Sequence, residues 1–240
     1  GERYVIWIFK ITASFLESTG TVVRKISNKA TLQFAGMTCS SLVVAFFCAW
    51  VVRDYFPCDF RVILVLLSAF VAFYFLSILL FRVQKRIMPI PLGNIKPGSM
   101  GEHSAFVYML HYIMLFNPVI FSGFLPYPLL GLFLRALGAK IGENSFCSGL
   151  MMDPQFVRIG NNSIIGNDAM LISHVIEGDV LAYEPIVIGS NVTIGARAII
   201  LAGVEIEDGA IVGVQSVVAK GTVIGKGQTW VGCPARCIKQ

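Results

Sequence analysis

Few residues in this chain could do acid–base chemistry. Its 240 residues include three histidines, His103, His111 and His174. His174 is the candidate base, because imidazole titrates near pH 6.5 and suits taking a proton from an alcohol or amine close to neutral pH. It stands in Leu171-Ile172-Ser173-His174, at the edge of the one stretch that interrupts an otherwise regular repeat. Such a base needs an orienting partner on its second ring nitrogen, usually a carboxylate. Asp153, earlier in the chain, and Glu177, just after the histidine, rank ahead of Asp168 for that role. A zinc site needs about three converging ligands. The repeat half holds one histidine, so no metal is expected. No GxGxxG, Walker A or GxSxG pattern points to nucleotide hydrolysis or serine-hydrolase chemistry.

Two kinds of element must position these groups. Fifty-five per cent of the chain is apolar, 14% is charged and mean hydropathy is +0.73. Soluble domains carry about 25% charge, so a purely soluble globule is not expected, and neither is disorder. Residues 1–136 read as a membrane region and 137–240 as a separate domain. No charged residue falls in 34–52 or 62–81. Each stretch can cross a hydrocarbon core of about 30 Å as a helix, and together they predict a transmembrane helical hairpin. Arg24, Lys25 and Lys29 precede the pair, and Arg82, Lys85 and Arg86 follow it. The positive-inside bias puts both flanks in the cytoplasm. Residues 4–20 read as an interfacial helix. Residues 105–135, with Asn117-Pro118, Pro126 and Pro128, read as broken helices that hug the membrane rather than cross it. No cleavable signal peptide is expected, because the first long apolar run begins at Phe34. The net charge of +5 comes from these flanks, with no basic-aromatic motif for nucleic acid. Six cysteines without CxxC spacing read as inert thiols, with a Cys233–Cys237 bridge left open.

The second half repeats in hexads. Ile188, Ile194, Ile200, Ile206, Val212, Val218, Ile224 and Trp230 occupy one position of the frame. Gly189, Gly195, Gly213 and Gly225 often follow, and Ile141-Gly142, Ile159-Gly160 and Ile165-Gly166 extend it upstream. Six is neither a strand nor a helix period. It is the signature of a parallel β-helix, with three hexads per triangular coil and each aliphatic side chain stacked on its copy one coil on. The glycine is expected to serve a turn of unusual backbone conformation. The step from Leu171 to Ile188 falls one position short of three full hexads, and 177–185 lacks the pattern, so a loop is expected to leave the coil there.

These hexads, ending in Trp230-Val231-Gly232-Cys233-Pro234-Ala235-Arg236, resemble the hexapeptide-repeat acyltransferases. More narrowly, Leu137-Gly138-Ala139-Lys140-Ile141-Gly142, Asp153-Pro154, His174-Val175-Ile176-Glu177 and the Trp-Val-Gly-x-Pro ending are similar to the membrane-linked C-terminal region of ε-poly-lysine-synthetase-type peptide synthetases. The resemblance implies a left-handed β-helix, a homotrimer, and acetyl-CoA or another acyl-CoA as donor, with the family's base mapping onto His174. It places a CoA channel along Gly195, Ala196, Gly213 and Val214, and basic contacts to its phosphates at Lys220, Lys226 and Arg236. The soluble relatives carry a Gly- or Asn-containing segment around the histidine, which is absent here. Ile199, Ile211 and Val223, apolar at outward positions, fit an interface.

The expected activity is O-acyl transfer to a lipid-linked sugar or lipid headgroup at the inner or plasma membrane, with the N-terminus and the β-helix cytoplasmic. Two alternatives stand: an N-acyl or amide-forming enzyme on an amino acid or amino sugar, and a non-catalytic trimeric scaffold. Transport is not expected, since neither span holds a charge.

Overall fold

A computed structural model describes residues 24–123 and 125–240. The helix expected over 4–20 lies outside them. Helix α1, Asn28–Val52, starts where the Ser27 hydroxyl accepts the Ala30 amide at 3.2 Å, an N-cap of about 1 kcal/mol. Two short 3₁₀ turns around Pro57 lead into α2, Arg61–Ile87. The two helices pack together. Among the residues α1 buries are Ser41, Ala45 and Ala49, four apart, so one narrow face allows close approach. The opposite faces expose Val43, Phe47, Leu66 and Phe75. Asn28–Tyr55, Cys58–Ile87 and Met100–Phe121 are each long and apolar enough to cross a membrane, judged by length and composition alone.

That third helix differs from the others. It opens as α3, Met100–His111, capped by Ser99, and runs through a π turn at Tyr112–Phe116 into α4, Asn117–Phe121. Pro118 has no amide to donate, and the wider turn ahead of it absorbs the defect without ending the helix. Helix α5, Tyr127–Leu137, follows and stops at Gly138, whose φ of +117° makes a left-handed cap. Half of the 100–121 helix is buried, far more than α1 or α2. It starts beside the end of α2, where the Ser104 hydroxyl donates to the Met88 carbonyl. It runs back along α2, with Phe116 against Phe81 and the Tyr74 hydroxyl on the Leu115 carbonyl. Helix α5 returns, with Phe133 against Phe116 and Arg82 donating to the Ala136 carbonyl at 3.5 Å. Its buried Leu130, Leu134 and Leu137 lie against the first coil of the second half.

From Lys140 the chain winds into a parallel β-helix of three faces. Lys140–Ile141, Val157–Ile159, Ile186–Ile188, Glu205–Ile206 and Val223–Ile224 form the first face. Phe146–Cys147, Ile164–Ile165, Thr193–Ile194, Ile211–Val212 and Thr229–Gly232 form the second. Leu150–Met151, Met170–Leu171, Ile199–Ile200 and Val217–Val218 form the third. Ile188 pairs with Ile206, and Ile206 with Ile224, each step being three hexads. The inward residues Ile165, Leu171, Ile194, Ile200, Val212 and Val218 are at most 1% exposed. The antiparallel strand Ala235–Lys239 closes the far end against Thr229–Gly232.

The glycine expectation needs correcting. Positive φ falls two positions later in the hexad, at Asn162, Asn191, Gln215 and Gly221 among others. Most of the repeating glycines, Gly225 excepted, are required by crowding instead. A Cβ on Gly166 would lie 2.5 Å from the Ala196 amide nitrogen of the next coil.

Candidate active site

The interruption in the repeat is larger than a slip of one position, and it is ordered. Leu171 pairs with Ile200 and Ile159 with Ile188, so each step spans almost five hexads instead of three. Nearly two hexads are thus inserted into one coil. They form a β-arm in which His174–Glu177 pairs antiparallel with Val180–Tyr183. Gly93–Asn94, from the link between helices α2 and α3, adds a third strand. His174 is the first residue of the arm, opposite Tyr183.

A second irregularity brings its partner. The first coil shortens its third side, with Met151 only four positions after Cys147, and restores the length at the 3₁₀ turn Pro154–Phe156. Met151 therefore pairs with Leu171 across two positions more than the regular three hexads. This shift sets Asp153 beneath the root of the arm. His174 Nδ1 donates to Asp153 Oδ2 at 2.7 Å, which leaves Nε2 as the basic nitrogen. The Asp153 side chain is 4% exposed and that of His174 26%. Burial works to lower the His174 pKa, but the hydrogen bond and charge of Asp153 outweigh it, and the net shift is upward. Burial, with the Asp153 charge adding, pushes the Tyr183 phenol far above its usual range.

The helical region reaches the same spot. The Tyr112 hydroxyl donates to the Met151 carbonyl at 2.6 Å. The Tyr108 ring packs on Phe156 and Tyr183, and its hydroxyl lies beside Asp153. Sequence reasoning missed all three tyrosines. Tyr108 and Tyr112 share a helix face one turn apart, but nothing in the chain says that this face meets the coil.

The other expected site residues are dispersed. Glu177 does not orient His174: it stands further along an arm that points away from the dyad, and it pairs with Lys220. Asp168 faces Arg197. Gly195, Ala196, Gly213 and Val214 lie together on the corner between the second and third faces. Lys220 sits on the corner between the third and first faces, as His174 does, and Lys226 on the remaining one. Arg236 lies on the closing strand. The three cations thus do not converge within one chain. Among the described residues no three His, Cys, Asp or Glu side chains could share a metal ion. Cys233 and Cys237 are free, and burial pushes the Cys147 thiol up to about 11. Because Glu177 and Lys220 are both largely exposed, their pairing is worth under about 1 kcal/mol. Glu177→Gln is expected to leave the melting temperature and turnover nearly unchanged, and a thermal melt beside a rate assay checks this.

The coil is a hexapeptide-repeat β-helix, with the His174–Asp153 pair at the root of its arm. Residues 185–220 match the family model described as Bacterial transferase hexapeptide (six repeats). The chain is 28% identical over 152 residues to the delta-poly-L-ornithine synthetase of Acinetobacter baumannii (strain AB307-0294), covering 61% of this chain and 11% of that protein. It is 35% identical over 97 residues to YvoF of Bacillus subtilis (strain 168), provisionally assigned as an acetyltransferase, covering 37% of this chain and 54% of that one. The chain thus spans about half the length, or less, of these curated relatives. It also resembles the hexapeptide-repeat acetyltransferase VCA0836 of Vibrio cholerae, at 19% identity and a TM-score of 0.46, covering 62% of this chain and 95% of that one.

Proposed function

We propose that this chain is a membrane-bound acyltransferase that moves an acetyl or other acyl group from acyl-CoA to a hydroxyl of a lipid-linked sugar or lipid headgroup. The observation that carries the reading is the His174–Asp153 pair at the root of the arm on a hexapeptide coil. His174 Nε2 takes the proton from the acceptor hydroxyl as its oxygen attacks the thioester carbonyl. The C–S bond breaks, and the imidazolium returns the proton to the departing thiolate. Asp153 stays ionised and stabilises the charge on the ring. CoA supplies the acyl group in activated form. Gly195, Ala196 and Gly213 on this corner are half-buried and carry at most a methyl group, which fits a thin pantetheine chain beside them. Lys220, Lys226 and Arg236 would serve its phosphates only from neighbouring protomers, since within one chain they stand apart.

A homotrimer suits the surface. The first face points Lys140, Arg158 and Glu205 outward beside Val187 and Val223, whereas the second and third present Phe146, Ile164, Ile211, Met170 and Ile199. Two apolar faces meeting at the glycine corner support packing there against a neighbour. The helices support a bilayer setting, with α1 and α2 as the spanning pair. The 100–121 helix starts near Met88, and α5 comes back to Arg82 at the same end of α2. This geometry supports a re-entrant passage, and with it a β-helix on the cytoplasmic side beside acyl-CoA.

The test is thiol release from acetyl-CoA by membranes carrying the full chain, with polyprenyl-linked sugars and phospholipids as acceptors. The acid limb of kcat/KM is expected above pH 6.5, because Asp153 holds His174 above its usual value, and Asp153→Asn should move the limb down. The same shift bears on stability. A raised folded-state value contributes fully below the unfolded value near 6.5 and is lost as pH rises through the folded one. Absence of thiol release with every acceptor would overturn the reading.

A further inference from the structure

We infer that Tyr108 is a positioning residue of this site: its hydroxyl, carried on a helix of the apolar region, donates to the Asp153 carboxylate and holds it against His174. Asp153 bonds His174 through Oδ2 alone, and no other donor among the described residues is bonded to Oδ1. The Tyr108 hydroxyl is fully buried and has no partner within hydrogen-bonding distance. Leaving a buried hydroxyl unpaired is costly, and the neighbouring Asp153 carboxylate is the acceptor that would remove that cost. The ring is fixed for this purpose, wedged among Phe81, Tyr112, Phe156 and Tyr183. The other titratable groups facing Asp153 are His174, Tyr112 and Tyr183. Of these, His174 holds Oδ2 and Tyr112 is committed to the Met151 carbonyl. The helical region is therefore part of the acid–base machinery as well as an anchor.

The inference rests on the acyltransferase reading for its purpose, but its measurement needs no substrate. The full chain in detergent micelles, labelled on histidine, has three imidazoles to follow by NMR, and His103→Gln and His111→Gln assign them. A donor on Asp153 disperses its charge and weakens its pull on the imidazolium. Tyr108→Phe is expected to raise the His174 pKa by about 0.5–1 unit. In the Asp153→Asn background the same change should do nothing. Tyr112→Phe, whose hydroxyl serves a backbone carbonyl, should leave the titration in place. If folded Tyr108→Phe titrates like the parent, or shifts downward, the assignment is overturned. If the shift is seen but no acyl-CoA is consumed, the acyltransferase reading fails and the positioning role of Tyr108 stands.

Discussion

His174→Ala is expected to reduce acyl transfer by about 10²–10⁴-fold, the usual worth of a general base, with the fold intact. The ring lies at the root of the arm with a quarter of its surface open, so its removal leaves no apolar cavity in the coil. What it does leave is Asp153, buried and without its hydrogen-bonding partner, so some loss of stability accompanies the kinetic effect wherever the carboxylate is ionised. The two are separated by measuring turnover well below the melting transition. The loss should fall on kcat, because in the proposed mechanism Nε2 takes the acceptor proton and does not meet the donor's nucleotide end. A rise in KM for acyl-CoA with unchanged kcat would instead make His174 a binding residue.

Gly166→Val is expected to produce the largest loss of stability. Its Cβ would stand 2.5 Å from the Ala196 nitrogen and 2.8 Å from the Gly195 carbonyl carbon, both backbone atoms of the next coil. Neither can rotate away, and separating the coils breaks parallel pairing on two faces. Overpacking of this kind costs about 3 kcal/mol or more when the surroundings are rigid. Gly221→Ala is the control. Its φ is +65° but nothing lies within 4 Å of the added carbon, so the penalty is the left-handed backbone alone, about 1–2 kcal/mol. Circular dichroism melts of both variants should rank them in that order. Equal melting would mean that inter-coil crowding does not dictate the glycines.

The coil was legible because its rule is local. Each inward aliphatic side chain stacks on a copy three hexads away, and the period stands in the sequence from Ile188 to Trp230. The arm was legible only as a gap. Its two short strands alternate too briefly to announce a hairpin, and one of them is completed by Gly93–Asn94, from far upstream in the helical half. Asp153 could be named as a partner from chemistry but not from register, since the shortened side at Cys147–Met151 breaks the count that would have aligned it. Glu177 looked equally good by proximity along the chain, and a strand carries it away. The glycines were read as conformational when they are steric, because a sequence shows that a side chain is missing and not what would have struck it. Tyr108 and Tyr112 gave no signal. In an apolar helix every face looks fit for lipid, and only the packed structure shows which one meets polar atoms.

The path of α3, α4 and α5 makes parity the governing quantity for this molecule. On the proposed bilayer reading, a segment that leaves one end of α2 and rejoins that same end adds an even number of passages, whatever its depth, so the prism is expected to share a compartment with Arg82. On that same reading, one additional spanning helix spliced between Ile87 and Ser99 is expected to carry the prism to the opposite compartment, away from any thioester pool, and to silence it with the His174–Asp153 pair still in place.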